Sequence, residues 1–305
     1  MPTNTKISVM TADSSHFTSL IELGITYYPP DHPVLTEAFL QWFYLDNPAG
    51  PATLVVAHEE GEWIGLIVLI PVLLGYKGCP QDACYAVNVL THPKHREKRL
   101  FVKMISHARD YLSREGRWLL GHPNANAVPG WQRQKMAFRD PMHLYLAKWR
   151  LPFSSLRENR IENLDQLQVI PEAFWESLAC RPDVHLTYTP EFIYWRFIDA
   201  PHRDYIVSLI ENHGELLGFR VTRRFKGPVD LMVDFIAPST SIGALVSTVR
   251  RPTLVMHSGL GISGNEVNKG CWKLPLKRQF LMFVTTWEQT TGVDMSGITL
   301  SASDF

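Results

Sequence analysis

The chain has 305 residues, enough for two domains of ordinary size. Its 30 basic and 30 acidic side chains cancel, which argues against a dedicated nucleic-acid binder, and 45% hydrophobic with 20% charged residues is the make-up of a globular protein. Four scattered cysteines (Cys79, Cys84, Cys180, Cys271) contain no C-x-x-C pair, so neither a disulfide framework nor a zinc site is expected and a reducing compartment fits.

The N-terminal MPTNTKISVMTADSS lacks the charged start and long apolar core of a signal peptide. Trp42–Leu66 reads as a helix end, a turn at Asp46-x-Pro48, a strand at Leu54–His58, a turn at Gly61-Glu62, and a second strand at Trp63–Pro71. The longest apolar stretch, Trp63 to Leu74, is too short to span a bilayer and contains Gly65 and Pro71. A soluble, cytoplasmic protein with no membrane partner is the expectation.

Next comes an apolar run, Tyr85 to Leu90, ending at Pro93. A basic turn follows (His95, Arg96, Glu97, Lys98, Arg99), and then Leu100, Val102, Met104, Ile105, Ala108, Tyr111 and Leu112 recur at helical spacing. Strand, turn and helix in this order place unpaired amides and the positive end of the helix dipole beside basic side chains, a natural seat for a diphosphate. An amphipathic helix with a solvated basic start is the competing reading. Another strand, Arg117–Gly121, leads to His122-Pro123-Asn124.

The chain then repeats itself. Trp195–Phe219 aligns without gaps on Trp42–Leu66, at an offset of 153 residues. Trp, Asp, Pro, Gly, Glu and Gly coincide, as do apolar pairs such as Leu54 with Val207 and Ile64 with Leu217. Two domains of one fold, 1–150 and 151–305, are expected, joined near Trp149–Ser155. Residues 84–101 map onto Ala237–Leu254, where no arginine-led loop stands before a helix. One cofactor site in the first half is therefore expected, with the second half as a wall or substrate platform. Gly259-x-Gly261-x-x-Gly264 follows an apolar run, but the residues after it show no helical period, so a loop is favoured over a dinucleotide turn.

The strand, Pro93 and Arg96-x-x-Arg99-x-Phe101 together resemble the acetyl-CoA loop of the GNAT N-acyltransferase superfamily, in which Arg99 and Phe101 occupy positions usually held by glycine. Asp46-Asn47-Pro48-Ala49-Gly50, Pro123-Asn124, Ala127, Pro129-Gly130-Trp131 and Lys135-Met136-Ala137-Phe138 resemble a bacterial branch of that superfamily. The resemblance implies an α/β fold with a mixed sheet, here as two tandem GNAT-like domains from an internal duplication. It implies acyl-CoA as co-substrate, held by main-chain groups of Val89, Leu90 and Thr91 and by the loop Arg96, Glu97, Lys98, Arg99, Leu100 and Phe101, with no metal. The carboxylate that serves as base in some members falls at Tyr85; Asn88 and His92 are the other candidates on this strand, and no single essential base is expected. Asn124 fits a pantetheine contact or a turn equally well. Trp131 suits substrate stacking or the core, and Arg196 and Arg223 suit a nucleotide's phosphates or solvated edges.

The relatives that the motifs resemble act on nucleotide-linked amino sugars for bacterial surface polysaccharides, such as a dTDP-3-amino-3,6-dideoxyhexose acylated from acetyl- or 3-hydroxybutanoyl-CoA. A non-catalytic CoA-binding module and a peptide or aminoacyl N-acyltransferase are the alternatives. The oligomeric state is left open, a homo-oligomer included.

Overall fold

The computed structural model describes residues 5–136, 138–148, 156–179, 184–238, 241–247, 249–257, 261–275 and 280–285. The expected linker at Trp149–Ser155, and Ala137 and Gly259 of the motifs above, lie outside these residues.

Strand β1 (Lys6–Thr11) leads to helix α1 (Phe17–Ile25), whose buried Phe17, Leu20, Leu23 and Gly24 share one face. Helix α2 (Glu37–Leu40) starts where the Thr36 hydroxyl accepts from the amide of Phe39, and widens into a π-helical turn over Gln41–Leu45. Strands β2 (Thr53–Glu59) and β3 (Glu62–Tyr76) form a hairpin, and β4 (Cys79–Thr91) lies beside β3. Helix α3 (Leu100–Arg114) crosses over to β5 (Trp118–Gly121), which runs parallel to β4. The expected stripe is real. Leu100, Met104, Ile105, Ala108 and Leu112 are buried on one face of the sheet against Val55, Ile67, Leu69, Cys84, Ala86 and Leu119. Each of the leucine, isoleucine, valine and methionine side chains contributes roughly 1.5–3 kcal/mol by leaving water. Short helix α4 (Val128–Arg133) and strand β6 (Phe138–Ala147) follow.

The remaining elements are β7 (Leu156–Ile161), α5 (Leu164–Gln168), α6 (Glu172–Ala179), β8 (His185–Leu186), α7 (Pro190–Ile193), β9 (Ile206–Asn212), β10 (Glu215–Lys226), β11 (Val229–Ile236), α8 (Ile242–Ser247), β12 (Thr253–His257), α9 (Gly261–Gly270), β13 (Cys271–Lys273) and β14 (Phe280–Thr285). The chain forms two compact units, and neither is a single stretch of sequence. The first holds residues 1–73 and 82–139 and takes back β14 from residue 281, so its strands run in the order β1-β2-β3-β4-β5-β14. The second holds residues 140–280 and the hairpin tip Leu74–Gln81, in the strand order β7-β9-β10-β11-β12-β6, with β13 also on β6. Thus β6 leaves the first half and β14 returns to it.

Elements recur at the 153-residue offset. The π-helical turn Gln41–Leu45 has its counterpart at Tyr194–Ile198, and the Thr36 cap at Thr189. The hairpin turns match in backbone: φ is 54° and 92° at Glu60 and Gly61, and 50° and 83° at His213 and Gly214. The same bulge follows, skipping Ile64 in one hairpin and Leu217 in the other.

One expectation is corrected here. The residues after the glycine motif are helical, because α9 begins at Gly261 and buries Val267 in the second core, where Gly270 closes on Val246. Packing overrides the weak helical preference of its glycines and asparagines. Strand β6 stands between β12 and β13, antiparallel to both, so the strand order is not that of a dinucleotide-binding unit.

Candidate functional site

The first unit carries a break in its sheet. Ala83, Cys84 and Tyr85 of β4 pair with Trp118, Leu119 and Leu120 of β5. β5 ends one residue later at Gly121, whereas β4 runs on to Thr91. Among the described residues, β4 therefore has no β5 partner from Ala86 onward. Within this stretch Asn88 takes φ 45°, a left-handed backbone uncommon outside glycine and best tolerated by residues such as asparagine. Val89 then packs toward the α3 core, while Leu90 is buried in a pocket on the opposite face with Leu20, Leu40, Leu66 and Asn88. An open strand edge of this kind offers main-chain N–H and C=O groups to an extended ligand that carries amides of its own.

The strand delivers the chain to the start of α3. His92 begins a 3₁₀ turn, Pro93–Lys98, its Nδ1 accepting from the amide of Lys94 at 3.2 Å. His95 is held to Glu59 at the end of β2, Nδ1 to Oε2, at 3.3 Å. Arg99 then takes φ 53°, ψ 33°, and α3 begins at Leu100 with no side chain capping its first amides. A left-handed turn, which glycine adopts most readily, is thus made here by an arginine. Phe101 turns onto α4: its ring lies edge-on to Trp131 at 5.8 Å, over Gly130. A Cβ on Gly130 would lie 2.1 Å from that ring. Arg96, Glu97 and Arg99 are exposed around the helix start, where backbone dipoles and formal charge both favour an anion.

On the face of the sheet away from α3, Asn88 sits between two phenols. The Tyr28 hydroxyl donates to Asn88 Oδ1 at 3.1 Å, and Asn88 Nδ2 donates to the Tyr44 oxygen at 2.5 Å. Burial pushes the Tyr28 phenol up to about 12 and the Tyr44 phenol higher still, so both keep their protons at neutral pH. Tyr44 reaches Asn88 from the π-helical turn. Three residues earlier on β4, the Tyr85 ring lies 5.6 Å from that of His122, just beyond β5.

The sequence candidates divide. Tyr85, Asn88, Val89, Leu90 and Thr91 share the open strand, and Arg96–Phe101 form the turn it feeds. His92 acts as a cap. Asn124 is a turn residue: it is exposed, and its Oδ1 accepts from the amide of Ala127 at 3.0 Å. Trp131 is a core residue at 2% exposure, which leaves no face for stacking. Arg196 is not at a surface either; it is 1% exposed, over the rings of Phe197 and Tyr205 in the second unit. Arg223 is half-buried on β10. Tyr28, Tyr44 and His122 escaped sequence reasoning. His122 stands inside the His122-Pro123-Asn124 segment, where nothing local in the sequence marks its ring as buried. Among the described residues no group of three His, Cys, Asp or Glu is placed to hold a metal, and no helix is long and apolar enough to cross a membrane.

No protein-family model and no curated protein matches the sequence. Solved structures do. A GCN5-related N-acetyltransferase from Anabaena variabilis ATCC 29413 superposes with a TM-score of 0.64 at 11% identity, over 92% of this chain and 73% of that one. One from Kribbella flavida gives 0.61 at 9% identity, over 92% and 71%. Saccharomyces cerevisiae N-myristoyltransferase with bound myristoyl-CoA gives 0.53 at 12% identity, over 94% and 80%. At such identities the likeness is one of fold, and the fold of this chain is that of the GCN5-related N-acetyltransferases.

Proposed function

We propose that the chain is an acyl-CoA-dependent N-acyltransferase. The observation that carries this reading is the edge of β4 beyond Tyr85, opened where β5 stops, kinked at Asn88 and leading straight into the uncapped start of α3. One continuous surface then serves the whole co-substrate. The diphosphate sits on the α3 amides with Arg96 and Arg99 beside them. The pantetheine amides pair with the β4 edge. The thioester arrives near Val89–Thr91, where a main-chain N–H steadies the charge that develops on its carbonyl oxygen. A neutral amine attacks, the C–N bond forms, and the C–S bond breaks to release CoA.

For the acceptor we retain an amine on a nucleotide-linked sugar, which rests on the resemblance of the sequence motifs. Trp131 and Arg196 are withdrawn as nucleotide contacts because both are buried, which leaves Arg223 of the three. The matched turns, caps and bulges at one offset support an internal duplication. The second copy follows β11 with α8 and no arginine-led turn, so one CoA is expected per chain.

Calorimetry with CoA tests the first step. One site per chain is expected, weakened about ten- to a hundredfold by Arg96→Ala or Arg99→Ala alone, since charge-assisted contacts contribute on the order of 1.5–3 kcal/mol each. Release of free thiol from acetyl- or 3-hydroxybutanoyl-CoA in the presence of dTDP- or UDP-amino sugars tests the second. CoA binding without thiol release from any amine would make the chain a binding module, and acylation of a peptide amine alone would move the acceptor to that class.

A further inference from the structure

We infer that His122 carries the proton of the acyl transfer, its Nε2 taking the proton from the attacking amine and returning it to the departing thiolate. This rests on the acyltransferase reading above and adds to it the group that the strand β4 lacks. Three observations lead to it. First, position: Cys84, Ala86 and Leu119 point into the core under α3, so Tyr85 and Leu120 face the other side of the sheet. His122 stands two residues beyond Leu120, and its ring lies beside that of Tyr85, so it shares that face. Asn88 turns to the same face, toward Tyr28 and Tyr44. An acyl group lying along the open edge of β4 therefore has Asn88 on one strand and His122 at the end of the other.

Second, His122 Nε2 is shut off from solvent and has no hydrogen-bond partner among the described residues. Leaving a buried polar atom unpaired costs stability, and a fold that needed only bulk here would be served by an apolar side chain. Third, the Nε2 without a partner belongs to a ring packed 5.6 Å from that of Tyr85. Burial also lowers the imidazole to about 4, so it is neutral at neutral pH and has a lone pair to offer.

The proton balance closes without another reactant. As the amine nitrogen bonds to the thioester carbon, its proton passes to Nε2. As the C–S bond breaks, the imidazolium gives that proton to the CoA thiolate, a far stronger base, and the histidine returns to its starting state. The products are the amide and CoA thiol.

The test compares wild type, His122→Gln and His122→Leu for turnover, CoA affinity and thermal midpoint. Turnover should fall about a hundred- to ten-thousandfold in both variants. CoA affinity should stay within about twofold, because the ring is not part of the diphosphate seat at α3, and the midpoint of His122→Leu should equal or exceed that of wild type. Turnover within about threefold of wild type in either variant would overturn the assignment while leaving the acyltransferase reading intact. So would a loss of turnover accompanied by a lower midpoint and weakened CoA, which marks a structural histidine. A wild-type protein that acylates no amine would overturn the acyltransferase reading itself, and this assignment with it.

Discussion

Two residues of the site hold left-handed backbone that most side chains avoid. Asn88 has side-chain bonds on both of its amide atoms to hold it there; Arg99 makes no side-chain cap bond and sits exposed. Arg99→Gly should leave stability within about 1 kcal/mol of wild type, since relief of the backbone offsets the freedom glycine gains in the unfolded chain. Arg99→Val should cost about 1–3 kcal/mol, because a β-branched side chain clashes at positive φ. Urea unfolding of both checks this. His122 makes a separate prediction about acid. Its folded-state pKa of about 4 lies below the ordinary 6.5. Between these values the unfolded chain binds a proton that the folded one does not, so stability falls as pH drops from about 6.5 toward about 4 and this contribution is then spent. The urea midpoint of His122→Leu should lose less over that window than wild type; identical slopes would contradict it.

Helices α3 and α4 meet through one absent side chain. Phe101 extends from the second position of α3 onto Gly130, and a methyl group there would collide with the ring. Gly130→Ala should cost about 1–3 kcal/mol through overpacking. It should also drive Phe101 back toward the first amides of α3 and weaken CoA. Phe101→Ala added to Gly130→Ala should recover most of both losses, and a double-mutant cycle measures the coupling. Independent, additive effects would show that the ring has another place to go. The bulky Phe101 ring is thus accommodated by the missing side chain of Gly130 on α4.

The two units depend on strands that the chain trades between its halves. Residues 1–150 alone would lack β14, whose Phe283, Val284 and Thr285 pair with Gly121, Leu120 and Leu119 of β5. That fragment would expose the edge of β5 and should aggregate or unfold without cooperativity. A monomeric fragment with a sharp thermal transition would refute this. Within the second unit, buried Arg220 binds Glu158 at 2.7 Å, with Arg250 at 3.8 Å. Burial opposes ionisation of Glu158, but the charge and hydrogen bond of Arg220, the Ser208 hydroxyl and Arg250 together hold its carboxyl below the usual carboxylate range. The pair's contribution is complete above the ordinary carboxylate pKa and disappears as pH falls through the lowered one. Arg220→Met should cost about 2–4 kcal/mol at neutral pH by stranding the carboxylate, and less in acid where Glu158 is protonated.

Local patterns were enough to read the strand, basic turn and helix of residues 84–112, the repeat at 153 residues, and the α3 stripe, because periodicity, turn chemistry and charge act between near neighbours in the chain. The same patterns misplaced α9, whose glycines are helical only because Val267 and Gly270 pack into the second core. They offered no way to choose between roles for Asn124, Trp131 and Arg196, since each choice depends on burial or bonding partners that form on folding. Tyr28, Tyr44 and Asn88 are far apart in sequence and meet only because the turn after α1, the π-helical turn and the kink in β4 converge. His122 acquires its meaning in the same way. A histidine after a strand is commonplace in a sequence, and it becomes a candidate for chemistry once the strand beside it is seen to open and its ring nitrogen to be buried without a partner among the described residues.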